Sequence, residues 1–142
     1  MATDGLSALT FSLVKAADLT TEAALRVYKS SGLAERRPLG EADRLRRMLD
    51  GSNLIVAAHD GDTLIGLARS VSDFAYSTYL SDLAVDAAYQ RRGVGRELIR
   101  LTGEAAPQAK VILLSAPAAA EYYPHVGFTR HQSAWTLPAL RG

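Results

Sequence analysis

A strand-like run that leads through a glycine-rich turn into an amphipathic helix constrains the fold of this chain most strongly. The apolar run covers residues 79–85, and the turn, with the sequence QRRGVG, covers residues 90–95. Apolar residues then recur with the period of a helix, at Val94, Leu98, Leu101 and Ala105. The first-turn N–H groups of a helix have no partner within it, and the helix dipole adds about half a positive charge at that end. Because glycine lets an anion approach the backbone, this arrangement predicts a phosphate-binding site.

The spacing of the glycines excludes two common phosphate-binding motifs. A P-loop requires Gly-Lys-Ser or Gly-Lys-Thr, and neither sequence occurs in the chain. A dinucleotide-binding loop requires a third glycine three residues after Gly95, and Leu98 occupies that position. We therefore disfavour a nucleotide-binding protein of either class.

Two segments of the chain resemble the GNAT superfamily of N-acetyltransferases. Gln90, Gly93 and Gly95 match the fixed positions of its pyrophosphate signature, directly after the apolar run. Residues 122–128, with the sequence YYPHVGF, are similar to the aromatic-Tyr-x-x-x-Gly-Phe segment near the family's C-terminus. The resemblance implies an α/β fold, with one GNAT-like domain over residues 1–142. Its sheet is expected to be mixed, mostly antiparallel and flanked by helices, with a splayed central strand pair.

The resemblance also implies acetyl-CoA as the co-substrate and assigns residues to it. Backbone groups of Leu83 and Val85 are implied to pair with pantetheine, although these residues also suit a buried core strand. The turn and the start of the helix are implied to hold the pyrophosphate, through Gln90, Arg91, Arg92, Gly93, Val94, Gly95 and Arg96. Many members carry a cofactor-contacting Asn before the tyrosine, but residues 115–120, with the sequence SAPAAA, contain none.

Acetyl transfer to an amine needs a neutral amine, and Asp82 is the candidate proton acceptor. Deprotonating a lysine amine at pH 7 costs about 4–5 kcal/mol, and deprotonating an α-amine costs about 1 kcal/mol. Strand alternation predicts Leu80, Asp82 and Ala84 on one face of the strand. The alternative interpretations are that Asp82 only hydrogen-bonds local backbone, and that a water chain takes the proton.

The departing thiolate needs a proton donor, and the resemblance implies that Tyr123 is this acid. A tyrosine has a pKa near 10 and a thiol a pKa near 8.5, so the phenol stays protonated and can donate at neutral pH. The alternative role for Tyr123 is packing, and we expect Tyr122 to be a packing aromatic. Arg36 and Arg37 could attract an anionic acceptor, but a solvated, charged loop is the favoured interpretation.

Composition limits the remaining functions. The chain has no cysteine, so a covalent acetyl-cysteine intermediate is excluded, and its three histidines are too widely spaced to indicate a metal site. A net charge of +1 does not suggest nucleic-acid or membrane binding, and no apolar stretch approaches the ~20 residues that span a bilayer. No secretory signal is visible, so we predict a cytoplasmic protein.

We therefore predict an N-acetyltransferase in which the amine attacks acetyl-CoA directly in a ternary complex. The alternative is a non-catalytic acyl-CoA-binding sensor or regulatory module with the same fold. The acceptor is expected to be a small-molecule or peptide amine, and its identity stays open, as does assembly into a homodimer.

Hydrophobic periodicity predicts the elements around this site. Helices are expected over residues 18–31, 41–49 and 117–123, with Pro124 ending the last one. Strands are expected over residues 9–14, 54–58, 63–71, 78–85, 111–114, 128–131 and 134–137. The continuously apolar run at 111–114 predicts a strand covered on both faces, and residues 1–8 are expected to fray.

Overall fold

A five-stranded sheet with helices on both faces frames the molecule. The computed structural model describes Leu6 and residues 8–141. In sheet order the strands are β1 (Leu9–Val14), β2 (Leu54–Asp60), β3 (Thr63–Ser72), β4 (Ser77–Val85) and β5 (Lys110–Ile112). The first four strands pair with one another in antiparallel fashion, and β5 is parallel to β4. The predicted mixed, mostly antiparallel α/β fold is therefore confirmed.

Helices α1 (Thr21–Ser31) and α2 (Ala42–Asp50) cover one face of the sheet. The hydroxyl of Thr20 caps α1 by accepting a hydrogen bond from the Ala23 N–H at 3.1 Å. Gly32 ends the helix in a left-handed conformation, with φ of +89°, that favours glycine. These two residues place the start and the stop of α1 close to where the sequence predicts them.

Helix α3 (Val94–Ala105) covers the opposite face and packs closely on β3 at Gly66. A Cβ atom at Gly66 would lie 3.1 Å from Val94 Cγ1 and 3.3 Å from Leu98 Cδ1. Val94 and Leu98 are fully buried there, as their helical spacing predicts. The missing side chain at Gly66 therefore sets how near α3 approaches the sheet.

Strands β4 and β5 diverge shortly after they begin, which confirms the predicted splayed pair. Their pairing covers only Ser77–Lys110, Thr78–Val111 and Tyr79–Ile112. Beyond Tyr79, β4 continues to Val85 without a strand on this side, within the part of the chain that the structure describes. The divergence opens a cleft beside the carboxyl-terminal half of β4.

A β-bulge at Ser81 changes the face to which β4 side chains point. Arg69 pairs with Asp82, the next residue Ser70 pairs with Leu80, and Ser81 is left as the extra residue. Leu80 packs in the cluster against α3, whereas Asp82 binds Tyr28 of α1 on the opposite face. The prediction that Leu80 and Asp82 share a face is therefore wrong, because the bulge interrupts the alternation on which it relied.

Two predictions for the segment that follows α3 are also wrong. Strand β5 is only three residues long, and Lys110 and Ile112 are exposed, so it is not covered on both faces. Pro124 lies inside helix α4 (Tyr122–His125) rather than ending a helix. A proline is tolerated there because the N–H groups of a first turn have no helical partner.

The structure contains no strand at residues 128–131 or 134–137, and residues 129–141 are all exposed. Each predicted run is only four residues long, and such short strands need a partner strand to form. The prediction that residues 1–8 fray falls mostly outside the described residues. Among the helices of the described chain, none combines the length and the apolar composition that a bilayer crossing requires.

Candidate active site

The divergence of β4 and β5 opens into a cleft of about 930 Å³. One wall consists of β4 and the start of α3, and the other consists of residues 113–126. The end of α1 and the loop after it line one end, through Ser31, Gly32, Leu33, Arg36 and Arg37. The cleft thus joins the predicted cofactor turn, the tyrosine segment and the double-arginine loop in one space.

The glycine-rich turn is held in a defined conformation at the start of α3. The Gln90 side-chain amide donates a hydrogen bond to the Val85 carbonyl oxygen at 2.9 Å, which ties the turn to the end of β4. Arg91 and Gly93 have positive φ angles of 65° and 86°. No side chain caps the N-terminus of this twelve-residue helix. The first-turn N–H groups are therefore left without a side-chain partner, as an anion site requires.

Gly95 allows the Tyr122 hydroxyl to lie close to the start of α3. A Cβ atom at this position would lie 2.8 Å from the Tyr122 hydroxyl oxygen and 3.8 Å from Leu83 Cδ2. The Tyr122 hydroxyl therefore sits directly over the first turn of α3. This position differs from the expected packing role, because Tyr122 is exposed and lines the cleft.

Of the three arginines in the turn and at the start of α3, two line the cleft and one does not. Arg91 and Arg96 are lining residues, and Arg96 also donates a hydrogen bond to the His125 carbonyl oxygen at 3.1 Å. Arg92 instead lies over the ring of Tyr89, 5.2 Å from its centroid. The structure therefore brings Leu83, Val85, Gln90, Arg91, Gly93, Val94, Gly95 and Arg96 to the cleft, but leaves Arg92 outside it.

Tyr123 lines the same cleft as the turn. Its ring packs edge-on against Tyr122 at 5.2 Å and against Phe128 at 5.5 Å between centroids. Burial raises the pKa of its phenol, as does Tyr122, whereas the charge of Arg37 acts in the opposite direction. The hydroxyl stays protonated at neutral pH and has no hydrogen-bond partner among the described residues, so it is available to a ligand in the cleft.

Asp82 lies behind the cleft wall, where it binds three donors. The Tyr28 hydroxyl donates to its Oδ2 at 2.5 Å, the Arg69 Nε donates to the same oxygen at 2.6 Å, and the Arg37 Nε donates to Oδ1 at 2.6 Å. The Asp82 side chain is fully buried and does not line the cleft.

The surroundings of Asp82 make it a weak proton acceptor. Burial alone would raise the pKa of its carboxyl group, but the charge of Arg69 and the hydrogen bonds from Arg69, Tyr28 and Arg37 outweigh this effect. The pKa therefore lies below its usual value. The hypothesis that Asp82 accepts the amine proton stays a prediction, and the geometry favours a role in holding Arg37.

Sequence reasoning missed the part that Arg69 and Arg37 play. Arg69 also donates to the Ser81 hydroxyl at 2.9 Å and to the Ser52 hydroxyl at 3.0 Å. Arg37 donates to the Ser81 carbonyl oxygen at 2.8 Å, so it is anchored and not solvated as expected, while Arg36 is exposed. The sequence offered one signal for this ion pair: an arginine lies inside the apolar run of β3, and an aspartate lies in the next strand.

The same fold occurs in known acetyltransferases. A family model described as "Acetyltransferase (GNAT) domain" matches residues 20–136. A GNAT-family acetyltransferase from Streptococcus pneumoniae superposes with a TM-score of 0.75 at 25% identity, over 94% of this chain and 99% of that one. An aminoglycoside acetyltransferase from an uncultured soil metagenomic sample gives a TM-score of 0.70 at 17% identity, over 96% of this chain and 99% of that one.

A curated relative from Glycine max, named "Histone acetyltransferase TAP1", is 29% identical over 107 residues, which are 66% of this chain. The match spans only 45% of that relative's length.

Proposed function

This chain belongs to the acetyltransferase (GNAT) domain family, and we propose that it transfers the acetyl group of acetyl-CoA to a primary amine. The observation that carries the proposal is that the glycine turn and Tyr123 line the same cleft. The names of its relatives refer to histones in one case and to aminoglycosides in another, so they support the reaction type and not one acceptor.

The residues of the cleft suit a coenzyme A thioester. The uncapped start of α3 with Gly93 and Gly95 can accept a pyrophosphate, and Arg91 and Arg96 add positive charge beside it. Beyond Tyr79, no strand of the described chain pairs with β4 on the cleft side, so backbone groups near Leu83 can pair with pantetheine amides. The Tyr122 hydroxyl over Gly95 offers a further donor to a phosphate.

Acetyl-CoA supplies an activated acetyl thioester, and the protein supplies position and a proton. With no cysteine in the chain, we propose direct attack by the amine, as the sequence predicts. Tyr123 would donate its proton to the departing sulfur, which its raised pKa and unbonded hydroxyl support. Solvent in the open cleft would take the amine proton, because Asp82 is buried and bound to two guanidinium groups.

Two measurements on the purified protein test the proposal. Calorimetry is expected to show acetyl-CoA binding, and thiol release is expected when an amine panel is added. Binding without thiol release from any amine would favour the alternative, a non-catalytic acyl-CoA sensor. Absence of binding, with the fold verified by circular dichroism, would contradict both.

A further inference from the structure

The charges at the acceptor end of the cleft point to the chemistry of the amine. We propose that the acceptor is a small amine bearing a carboxylate group, an amino acid being the simplest case, and that Arg36 and Arg37 bind this carboxylate. The inference rests on the proposed acetyl transfer and adds to it the class of acceptor.

The position of the acceptor follows from the two fixed points of the cleft. The glycine turn lines the part where phosphate would bind, and Tyr123 lines the same cleft, where the thioester sulfur would lie. The remaining end is lined by residues 31–33 and by Arg36 and Arg37. An amine that attacks the thioester from this side therefore approaches past the two arginines.

The cleft has arginines but no acidic side chain. Within the described part of the chain, none of the residues that line the cleft is Asp or Glu, whereas four of them are arginines: Arg36, Arg37, Arg91 and Arg96. The Asp82 carboxylate is behind the wall and is already shared by Arg37 and Arg69. Glu35 is in the same loop but does not line the cleft. An acceptor with several positive charges would find no counter-charge on these walls.

Arg37 is built as a fixed binding group rather than a mobile surface charge. Its Nε is bound to Asp82 at 2.6 Å, its Nη2 to the Ser81 carbonyl oxygen at 2.8 Å and its Nη1 to the Arg36 carbonyl oxygen at 2.9 Å. Each terminal nitrogen carries a second N–H, and these groups have no acceptor among the described residues. A carboxylate is the planar anion that suits such paired donors.

Arg36 completes the site from the solvent side. It is exposed, it lines the cleft, and its guanidinium has no ion-pair partner among the residues that the structure describes. The carbonyl oxygen of Arg36 accepts the bond from Arg37, so the two side chains start from one anchored point of the loop. One anchored guanidinium and one exposed guanidinium are therefore available to bind the same carboxylate.

The experiment compares acceptors with and without the carboxylate charge, and rates are expressed per mole of neutral amine because an amide also lowers the pKa of the α-amine. Initial rates of thiol release are measured at saturating acetyl-CoA for alanine against alaninamide and for glutamate against its diamide. Spermidine, tobramycin and a lysine-rich peptide represent polycationic acceptors, and an acidic peptide tests whether a carboxylate within a polypeptide also serves. We expect kcat/KM to be at least about tenfold higher for each amino acid than for its amide, since hydrogen bonds to a charged group differ from neutral ones by about that factor.

A variant pair assigns the preference to the loop. Arg36→Gln is expected to raise KM for the amino acid about fivefold or more, with kcat and the acetyl-CoA affinity nearly unchanged. The matched control is Arg47→Gln, which removes the same charge from an exposed position on α2 that pairs only with Asp43. Arg47→Gln is expected to leave kcat and KM for the amino acid and for its amide as they are in the original protein.

Three results would overturn the inference. Equal rates for acid and amide, or a preference for the polycationic amines, would show that the acceptor needs no carboxylate while leaving acetyl transfer intact. An unchanged KM in Arg36→Gln would remove the assigned site. Binding of acetyl-CoA without thiol release from any amine would overturn the proposed function together with this inference.

Discussion

Removing the charge of Asp82 is expected to destabilise the fold rather than to abolish a proton transfer. In Asp82→Asn the amide keeps the size of the carboxylate, but it leaves two guanidinium groups without their counter-charge. The side chain of Arg69 is only 9% exposed and that of Arg37 only 20%, so water cannot replace the lost partner fully. Breaking a buried ion pair from one side costs about 3–5 kcal/mol. For a chain of this size, the midpoint of thermal unfolding is expected to fall by roughly 10–15 °C.

The pH dependence of this loss has a definite sign. The folded-state pKa of Asp82 is lowered, so its contribution to stability is present above the unfolded-state value of about 4 and is lost as the pH falls through the folded-state value. Asparagine does not titrate. The difference in unfolding free energy between the original protein and Asp82→Asn is therefore expected to be constant near neutral pH and to shrink below about pH 4.

Urea unfolding followed by circular dichroism between pH 3 and pH 8 measures this difference. The control is Asp43→Asn, whose exposed ion pair with Arg47 is worth at most about 1 kcal/mol. In a double-mutant cycle, Arg37→Gln should cost less in the Asp82→Asn background than alone, because the pair is already broken.

Either of two results would refute this reasoning. A loss below about 1 kcal/mol at pH 7 would show that the ion pairs do not hold the acceptor end of the cleft together. A rate loss in the folded variant that is largest at low pH and disappears as the amine deprotonates would show that Asp82 accepts the proton after all.

Four further substitutions, one of them a control, probe the cleft and its support. Gly95→Glu should abolish acetyl-CoA binding in calorimetry while the circular dichroism spectrum is retained, because the side chain fills the helix start and adds a repelling charge. Unchanged acetyl-CoA affinity in the folded variant would refute the proposal that phosphate binds at this turn. Tyr123→Phe should lower kcat and kcat/KM together by ~10²–10⁴-fold without weakening acetyl-CoA binding. Because burial raises the pKa of the Tyr123 phenol, its ionisation should limit the rate only at a higher pH than that of an ordinary tyrosine would. An unchanged rate in Tyr123→Phe would make it a packing residue. Gly66→Ala should destabilise the fold by about 1–3 kcal/mol in urea unfolding, because the new Cβ atom would contact α3. The control Gly103→Ala, whose Cβ atom would have no heavy atom within 4 Å, should stabilise the fold by up to about 1 kcal/mol. Equal effects of the two substitutions would mean that α3 can shift freely.

The sequence predicted the parts of this fold whose signals are local. The turn at Gly93, the cap at Thr20 and the helical stripe through Leu98 each depend on a few neighbouring residues, and the structure has them where expected. The end of the cleft that holds the glycine turn was predictable for the same reason, since its glycines adjoin both the strand and the helix.

The acceptor end was not predictable because its contacts join distant parts of the chain. Tyr28, Arg37 and Asp82 meet only when α1, the following loop and β4 come together, and no local pattern pairs them. The bulge at Ser81 is set by its pairing with β3, so strand alternation alone placed Leu80 on the wrong face. The C-terminal runs carried a strand-like composition, but without a partner strand the backbone has no ladder to join.

The C-terminal segment also gives the molecule a built-in optical reporter. Trp135 is the only tryptophan of the sequence, and it is 92% exposed. Its indole emission should therefore be that of a water-exposed ring, and any event that covers the segment should move the emission to shorter wavelengths. Phe128, at the base of the same segment, contacts the ring of Tyr123. The fluorescence of unlabelled protein can thus show whether ligand binding in the cleft changes the environment of the C-terminal segment around Trp135.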